Sequence, residues 1–469
     1  MNITQTLILA GGWLIALVTL PFILLSEKRP AGMLAWMWAV LLFPYIGAFA
    51  YLLFGSERIY RRHLKRRRKW SHRRGSVEPL PLEGHDPRNR ELASLLSSIN
   101  VHSSSRYDEV EVFLHAQEFY PALAAEIKEA KSSILIEFFI WRNDEYGKNL
   151  RDVLTEAAGR GVAVRVIIDE MGCFGLPRGY FSGLIEAGGK FSWFNALHVM
   201  RNRWNFSLRN HRKLQIIDGK IAFVGGMNIG REYMGDKSES GGWKDAQIRL
   251  SGAVVRALCQ TFWEDWYFAT DEDMSGEKNL PSPIHGGRGL AQVVEDGPDS
   301  QQYPIMLSTV ALLNAARRRV WFAAGYFFPT EPFLSALKLC VARGVEVRIL
   351  IPAKSDHPYL VKGARAYYEE LLTYGVRLYE YTCGTHHAKV IIMDDEWASV
   401  GSANLDVRSM RLNFELNVIL HSTDVVTKIE KELTKDYISS HEVTLDEVRS
   451  RSMWTRLIEN ICRLLGPIL

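Results

Sequence analysis

The chain repeats itself, and the repeat limits what it can fold into more than any other feature. "RNHRKLQIIDGKIAFVGGMN" (209–228) and "HHAKVIIMDDEWASVGSAN" (386–404) each carry a histidine, a lysine two places on and an aspartate five beyond that. In both, an asparagine follows the histidine by 17 residues. The match extends upstream. "IKEAKSSILIEFFIW" (127–141) parallels "LNAARRRVWFAAGYF" (313–327), and "LTEAAGRGVAVRVIID" (154–169) parallels "LKLCVARGVEVRILIP" (337–352). An amphipathic helix ends at Gly161 or Gly344 before a largely apolar strand, and a further helix ends near Gly188 or Gly375. Such strands alternating with helices predict an α/β lobe whose sheet is covered on both faces. The expected fold class is therefore α/β, with two similar lobes, 109–270 and 290–469, around a pseudo-two-fold axis that brings both histidines to one cleft. The polar stretch 271–289 is the expected seam between them.

With 13 histidines in 469 residues, one such His-x-Lys-x4-Asp pattern arises by chance in about three of a hundred chains of this composition. Two copies at matching places of a repeat are a strong signal. Histidine and lysine two apart on a strand share a face, which puts a cation beside each imidazole. That arrangement opposes metal binding, so no metal and no cofactor are expected. It suits phosphoryl transfer instead. Lys213 and Lys389 neutralise the phosphate oxygens, and one of His211 and His387 attacks phosphorus while the other moves protons. Asn228, Asn404 and Ser402 are expected to donate to the substrate from the turn after each hairpin. Each imidazole needs an orienting carboxylate. Asp245 in "GGWKDAQIRL" and Glu415 in "RLNFELNVIL" suit that role, whereas Asp218 and Asp394 stand at strand ends and suit holding backbone or a cation. His386, His357 and His198 read as satisfied core or solvated loop residues.

The front of the chain is different in kind. Residues 2–26 and 30–56 contain no charged side chain, and each run is long enough to cross a bilayer as a helix. Without a basic leader or a small-residue cleavage site, the first is not a signal peptide. Residues 1–56 thus predict a two-helix transmembrane hairpin, with Pro44 kinking the second helix. Ten Lys or Arg lie between residues 58 and 74. Beside an apolar span, such a run retains that end in the cytoplasm and meets anionic lipid headgroups rather than nucleic acid. Residues 57–108 read as this basic segment followed by a polar linker. Five scattered cysteines without CxxC spacing suit a reducing compartment.

The paired motifs resemble the HKD motifs of the phospholipase D superfamily. With the two apolar segments, "VEDGPDS" and "SMRLNFELN", the chain is similar to bacterial cardiolipin synthases from about residue 5 to the C-terminus. The resemblance implies phospholipase D-like lobes and condensation of two phosphatidylglycerols to cardiolipin with release of glycerol. It implies a multi-pass protein of the bacterial cytoplasmic membrane, with lobes facing the cytoplasm. It carries over a catalytic set of His211, Lys213, Asp218, His387, Lys389 and Asp394. It also makes His211 the nucleophile and His387 the acid/base, an assignment the residues themselves leave open. One departure stands out: the second motif ends in "GSAN", but the first ends in "GGMN", with Gly226 at the serine position.

The competing readings are a hydrolase or nuclease of the same superfamily and a silent scaffold that binds anionic lipid. "FSWFNALHVMRNRWNF" (191–206) mixes aromatic and basic residues, as a cleft lip dipping into headgroups would. The alternative for it is an amphipathic surface segment. For "WTRLIENICRLLGPIL" (454–469), interfacial and packing helices are equally compatible with the pattern.

Overall fold

All six residues of the strand Ser133–Phe138 are buried, Ser133 and Glu137 included, so neither of its faces turns to solvent. Ile134, Ile136 and Phe138 enter one apolar core while Leu135 enters another on the opposite side of the sheet. That alternation organises the whole body of the protein. The computed structural model describes residues 3–26, 30–52, 86–194, 209–235, 242–274, 287–298, 300, 302–355 and 357–465. The basic run 58–74 and residues 195–206 of the expected aromatic lip lie outside these.

The first lobe is a seven-stranded sheet in the order Val110–Phe113, Gln247–Ser251, Ile221–Gly225, Leu214–Ile217, Ser133–Phe138, Ala163–Asp169, Lys190–Phe194. The last three strands are parallel, and the hairpin that follows the first His-x-Lys pairs antiparallel to them. In the second lobe the order Gly289–Asp296, Asn413–His421, Trp397–Gly401, Val390–Met393, Arg319–Ala323, Glu346–Pro352, Arg377–Tyr381 reproduces it strand for strand. Gly161 and Gly344, at φ +88° and +81°, end the corresponding helices in the left-handed region that favours glycine.

The two sheets face each other across a shared core. Leu214, Ile216, Val224 and Ile248 of the first meet Val390, Ile392, Val400 and Val418 of the second, together with the helices Val254–Thr270 and Thr423–Ile438. Each sheet's outer face is covered by its own helices and its own core. This is the doubly covered sheet that unbroken apolar strands require.

The structure departs from the expected linker. Pro87–Ile99 is a helix, capped by Asp86, whose side chain accepts from Arg88 N–H. Its Leu92, Ala93 and Leu96 join the second lobe's outer core. Ser105–Tyr107 then pairs with the second lobe's edge strand Gly289–Asp296. Three core residues, Leu92, Ala93 and Leu96, in a 13-residue helix are too few for the pattern to separate it from a polar linker.

The N-terminal segment forms a compact unit of its own. Ile3–Leu24 is a 22-residue apolar helix, and among the described residues it is the one long and apolar enough to cross a membrane. The second apolar segment is broken rather than kinked: helices Pro30–Leu42 and Pro44–Ala50 are separated at Phe43, at φ −133° and ψ 71°. Pro44 has no N–H to continue the ladder and forces the preceding residue out of helical geometry. The segments pack through Ala16, Ile23, Val40 and Tyr51, and Tyr51 Oη donates to the Phe22 carbonyl at 3.1 Å.

Candidate active site

Each histidine sits just before its strand, where the chain crosses to the other lobe. Arg209–Asn210 pairs in parallel with the start of Asn413–His421, and Thr385–His386 pairs in parallel with Trp243–Lys244. His211 N–H then donates to Phe414 O at 2.9 Å, and His387 N–H to Lys244 O at 2.7 Å. The residue after each acceptor is a carboxylate. The consequence is an exchange between lobes. His211 Nδ1 lies 3.0 Å from Glu415 Oε2, and His387 Nδ1 lies 2.7 Å from Asp245 Oδ2. Each imidazole is oriented by the carboxylate of the opposite repeat.

Both histidines line one cavity of about 510 Å³, along with Asn228, Asn404, Trp243 and Tyr326. The aromatic rings wall the imidazoles: Phe139 is 4.9 Å from His211, and Trp243 and Tyr326 are 5.1 and 5.5 Å from His387, centre to centre. Lys213 is fully buried, and its Nζ donates to His211 O at 2.6 Å. Lys389 Nζ stands 2.6 Å from His387 Nδ1, 3.1 Å from Nε2 and 3.6 Å from Asp245.

Burial dominates the electrostatics of this site. It pushes Lys213 down to about 7, with the charge of Lys389 adding to the shift and Glu415 opposing it. Burial likewise lowers His211, where Lys213 works in the same direction and Glu415 against it. Burial would raise Asp245 and Glu415, but the opposite charges overcome it. Lys389 and His387 hold Asp245 below its usual range, and His211, Lys213 and the Ser402 hydroxyl do so for Glu415. Two anions are thus fixed beneath two imidazoles and two lysines, an arrangement that receives a phosphodiester anion.

The other expected residues divide. Asn228 lines the cavity with its amide engaged: Oδ1 accepts from Ile140 N–H at 3.0 Å and Nδ2 donates to Tyr233 Oη at 2.6 Å. Asn404 Oδ1 is buried at the cavity wall without a partner. Ser402 does not reach the cavity, contrary to its expected role as a substrate donor. It is wholly buried, and its hydroxyl donates to Glu415 Oε2 at 2.5 Å. Gly226 occupies the equivalent position, since Gly226 N–H donates to Ala246 O as Ser402 N–H does to Leu416 O. A Cβ there would stand 2.0 Å from Asp245 Oδ1, so the missing side chain is the space the shorter carboxylate fills.

Asp218 and Asp394 are not in the cleft, which corrects their inclusion in the catalytic set. They stand at the far ends of the strands that follow the histidines, roughly 20 Å away at about 3.3 Å per residue. Both have φ +52°. Asp218 accepts from the N–H groups of Lys131, Ser132 and Ser133, and Asp394 from those of Arg317, Arg318 and Arg319 and from the Arg88 guanidinium. His386 is a buried residue paired with Asp436 at 3.2 Å, whereas His357 lines the cavity rather than an inert loop. His198 lies outside the described residues.

Sequence reasoning missed Asn413, which donates to Glu415 Oε1 at 3.2 Å, and buried Arg212, which pairs with Asp265 at 2.5 Å and donates to Glu415 O. Trp243 and Asn413 each stand two residues before a carboxylate, so aligning the repeats on those carboxylates would have marked both.

The family model described as "Cardiolipin synthase, PLD-like domain" matches twice, at residues 123–266 and 309–437, one match in each lobe. A cardiolipin synthase of Geobacillus kaustophilus is 35% identical over 458 residues, covering 95% of this chain and 90% of that one. The major cardiolipin synthase ClsA of Bacillus subtilis is 35% identical, covering 96% and 97%. In fold, the crystal structure of phosphatidylserine synthase from Haemophilus influenzae is similar over 81% of this chain and 99% of its own, with a TM-score of 0.61 at 15% identity. Both lobes and nearly the full length are matched, and the chain belongs to the cardiolipin synthase family of phospholipase D-like proteins.

Proposed function

We propose that this protein is a cardiolipin synthase, a phosphatidyltransferase that joins two phosphatidylglycerols and releases glycerol. The observation that carries the reading is the pair of cleft histidines, each held through Nδ1 by a buried carboxylate of the opposite lobe. His211 Nε2 attacks phosphorus, and the glycerol oxygen leaves with a proton from His387 Nε2. The lipid phosphate is then bonded to His211 Nε2 as a phosphoramidate. A hydroxyl of the second phosphatidylglycerol gives its proton to His387 and attacks phosphorus, and the His211 bond breaks. Both protons and the phosphoryl group are accounted for, and the histidines return to their starting states. Lys213, Lys389, Asn228 and Asn404 offset the charge that builds on the phosphoryl oxygens.

The apolar segments before residue 56 anchor the enzyme as a two-span hairpin, and the basic run after them keeps the lobes on the cytoplasmic side. The test is turnover of phosphatidylglycerol by the purified protein in EDTA. His211→Ala and His387→Ala are each expected to lose about 10³-fold or more. Either variant retaining the wild-type rate, or a strict requirement for added metal, would sink the scheme.

A further inference from the structure

The C-terminal helix Met453–Leu465 is docked inside out. Its polar side faces the protein. Glu459 and Cys462 are buried, Arg451 pairs with Glu459 at 3.1 Å, Arg456 with Glu369 at 2.9 Å, and Arg463 lies 4.2 Å from the centre of the Tyr367 ring. The opposite side carries Met453, Trp454, Leu457, Ile458, Ile461 and Leu464, all between 46% and 77% exposed. At about 100° per residue these six occupy an arc of roughly 140°. An amphipathic helix packed on its own protein turns that stripe to the core. This one does the reverse, so its apolar face is built to meet something outside the lobe.

Its position says what. The helix rests on Pro358–Arg365, where Gly363 permits close approach: a Cβ there would stand 3.2 Å from the Cys462 carbonyl carbon and 2.4 Å from the Phe328 ring. The residues at the start of that supporting helix, His357, Tyr359 and Leu360, line the histidine cavity. At the equivalent place in the first lobe, after Ala163–Asp169, Met171 lines the same cavity and Phe174 is 86% exposed. Apolar side chains therefore stand exposed beside the cavity on both lobes. A cavity of about 510 Å³ lined by His211, His387, Arg209 and Arg408 takes a headgroup and not two acyl chains, which must stay in the bilayer while the phosphate enters. Charge agrees. The helix's one carboxylate, Glu459, is buried, so no anionic side chain of the helix opposes an anionic phospholipid surface.

We propose that Met453–Leu465 lies in the headgroup–acyl boundary of an anionic bilayer and seats the mouth of the cleft on the surface that supplies its substrate. This rests on the reading of the enzyme as lipid-acting. The test uses the full-length protein and two readouts. In the first, Leu457→Ser, Ile461→Ser and Leu464→Ser are combined, and cardiolipin formation is measured from phosphatidylglycerol vesicles and from dihexanoyl phosphatidylglycerol below its micelle concentration. The vesicle rate is expected to fall about tenfold or more, with the monomeric rate unchanged. In the second, a bimane label is placed at Leu457→Cys in a Cys383→Ser background, since Cys383 is the exposed native thiol. Vesicles with brominated acyl chains are expected to quench it. A label that bromolipid leaves unquenched overturns the proposal, as does an equal loss of both rates. So does an unquenched label with a halving of mass in the triple variant, the result if a second copy covers this face. If the wild type makes cardiolipin from neither substrate, the functional reading fails, and bromolipid quenching still decides the docking.

Discussion

Replacing Glu415 by glutamine removes one charge at near-constant volume, and the exchanged geometry assigns the damage to the histidine of the other repeat. Glu415 is wholly buried and accepts from His211 at 3.0 Å, from Ser402 at 2.5 Å and from Asn413 at 3.2 Å. An amide keeps one acceptor for three donors and presents an N–H₂ to the rest, so it favours the wrong tautomer of His211 as well as losing the charge. Truncating a buried, hydrogen-bonded charge pair costs about 3–5 kcal/mol. At about 1.4 kcal/mol per decade, that is a rate loss of roughly 10²–10⁴. Asp245→Asn should cost a similar amount for the natural substrate, through His387.

An activated leaving group separates the two. A phosphatidyl ester of p-nitrophenol departs without a proton, so the acid has no work in the first step. Asp245→Asn and His387→Ala should then still show a p-nitrophenol burst equal to the enzyme concentration. Glu415→Gln and His211→Ala should show none. A burst from Glu415→Gln, or its loss in Asp245→Asn alone, would refute the pairing of each carboxylate with the opposite histidine's role. Thermal unfolding of each variant excludes loss of the folded body as the cause.

Gly226→Ser places a Cβ 2.0 Å from Asp245 Oδ1 and should cut turnover by about 10²-fold by displacing the partner of His387, while Ser402→Ala loses one hydrogen bond to Glu415 and costs only about tenfold. Steady-state rates on phosphatidylglycerol check both. Asp218→Asn and Asp394→Asn should each lose about 1–3 kcal/mol of stability in denaturant melts, with turnover of the folded protein unchanged within about threefold. Both carboxyls are held below their usual range, because the backbone N–H groups, and for Asp394 the Arg88 guanidinium as well, outweigh burial. Their stabilisation is therefore complete above the unfolded value near 3.9 and is lost as the pH falls through the lower folded values. For activity, His211 must begin neutral. Its lowered pKa places the acid limb of kcat/KM below the ordinary histidine value of 6.5. Lys213, at about 7 in the free site, loses its charge as the pH rises. A bound phosphodiester raises that value, so the alkaline limb of kcat should lie above that of kcat/KM. Coincident limbs would contradict this.

The duplication, the shared cleft and the two orienting carboxylates were legible because each rests on local pattern: helices ended by Gly161 and Gly344 before apolar strands, and histidine and lysine on one strand face. The crossing of Asp245 to His387 and of Glu415 to His211 was not. It follows from where Trp243–Lys244 and Arg209–Asn210 pair across the axis, and two-residue strands leave no periodicity to read. Helix Pro87–Ile99 escaped for a related reason: its three core residues gain meaning only from Leu312 and Phe322 of the second lobe. The hydroxyl of Ser402 matched a motif, and tertiary packing turned it toward Glu415 instead of the cavity.

The most direct test of the account is a product balance with phosphatidylglycerol as sole substrate, the purified protein in detergent and EDTA, and all lipids and glycerol quantified. Transfer between two lipids through one histidine predicts cardiolipin and glycerol in equal amounts. Phosphatidic acid and glycerol without cardiolipin would make water the acceptor, and the enzyme would then be a hydrolase built on the same cleft.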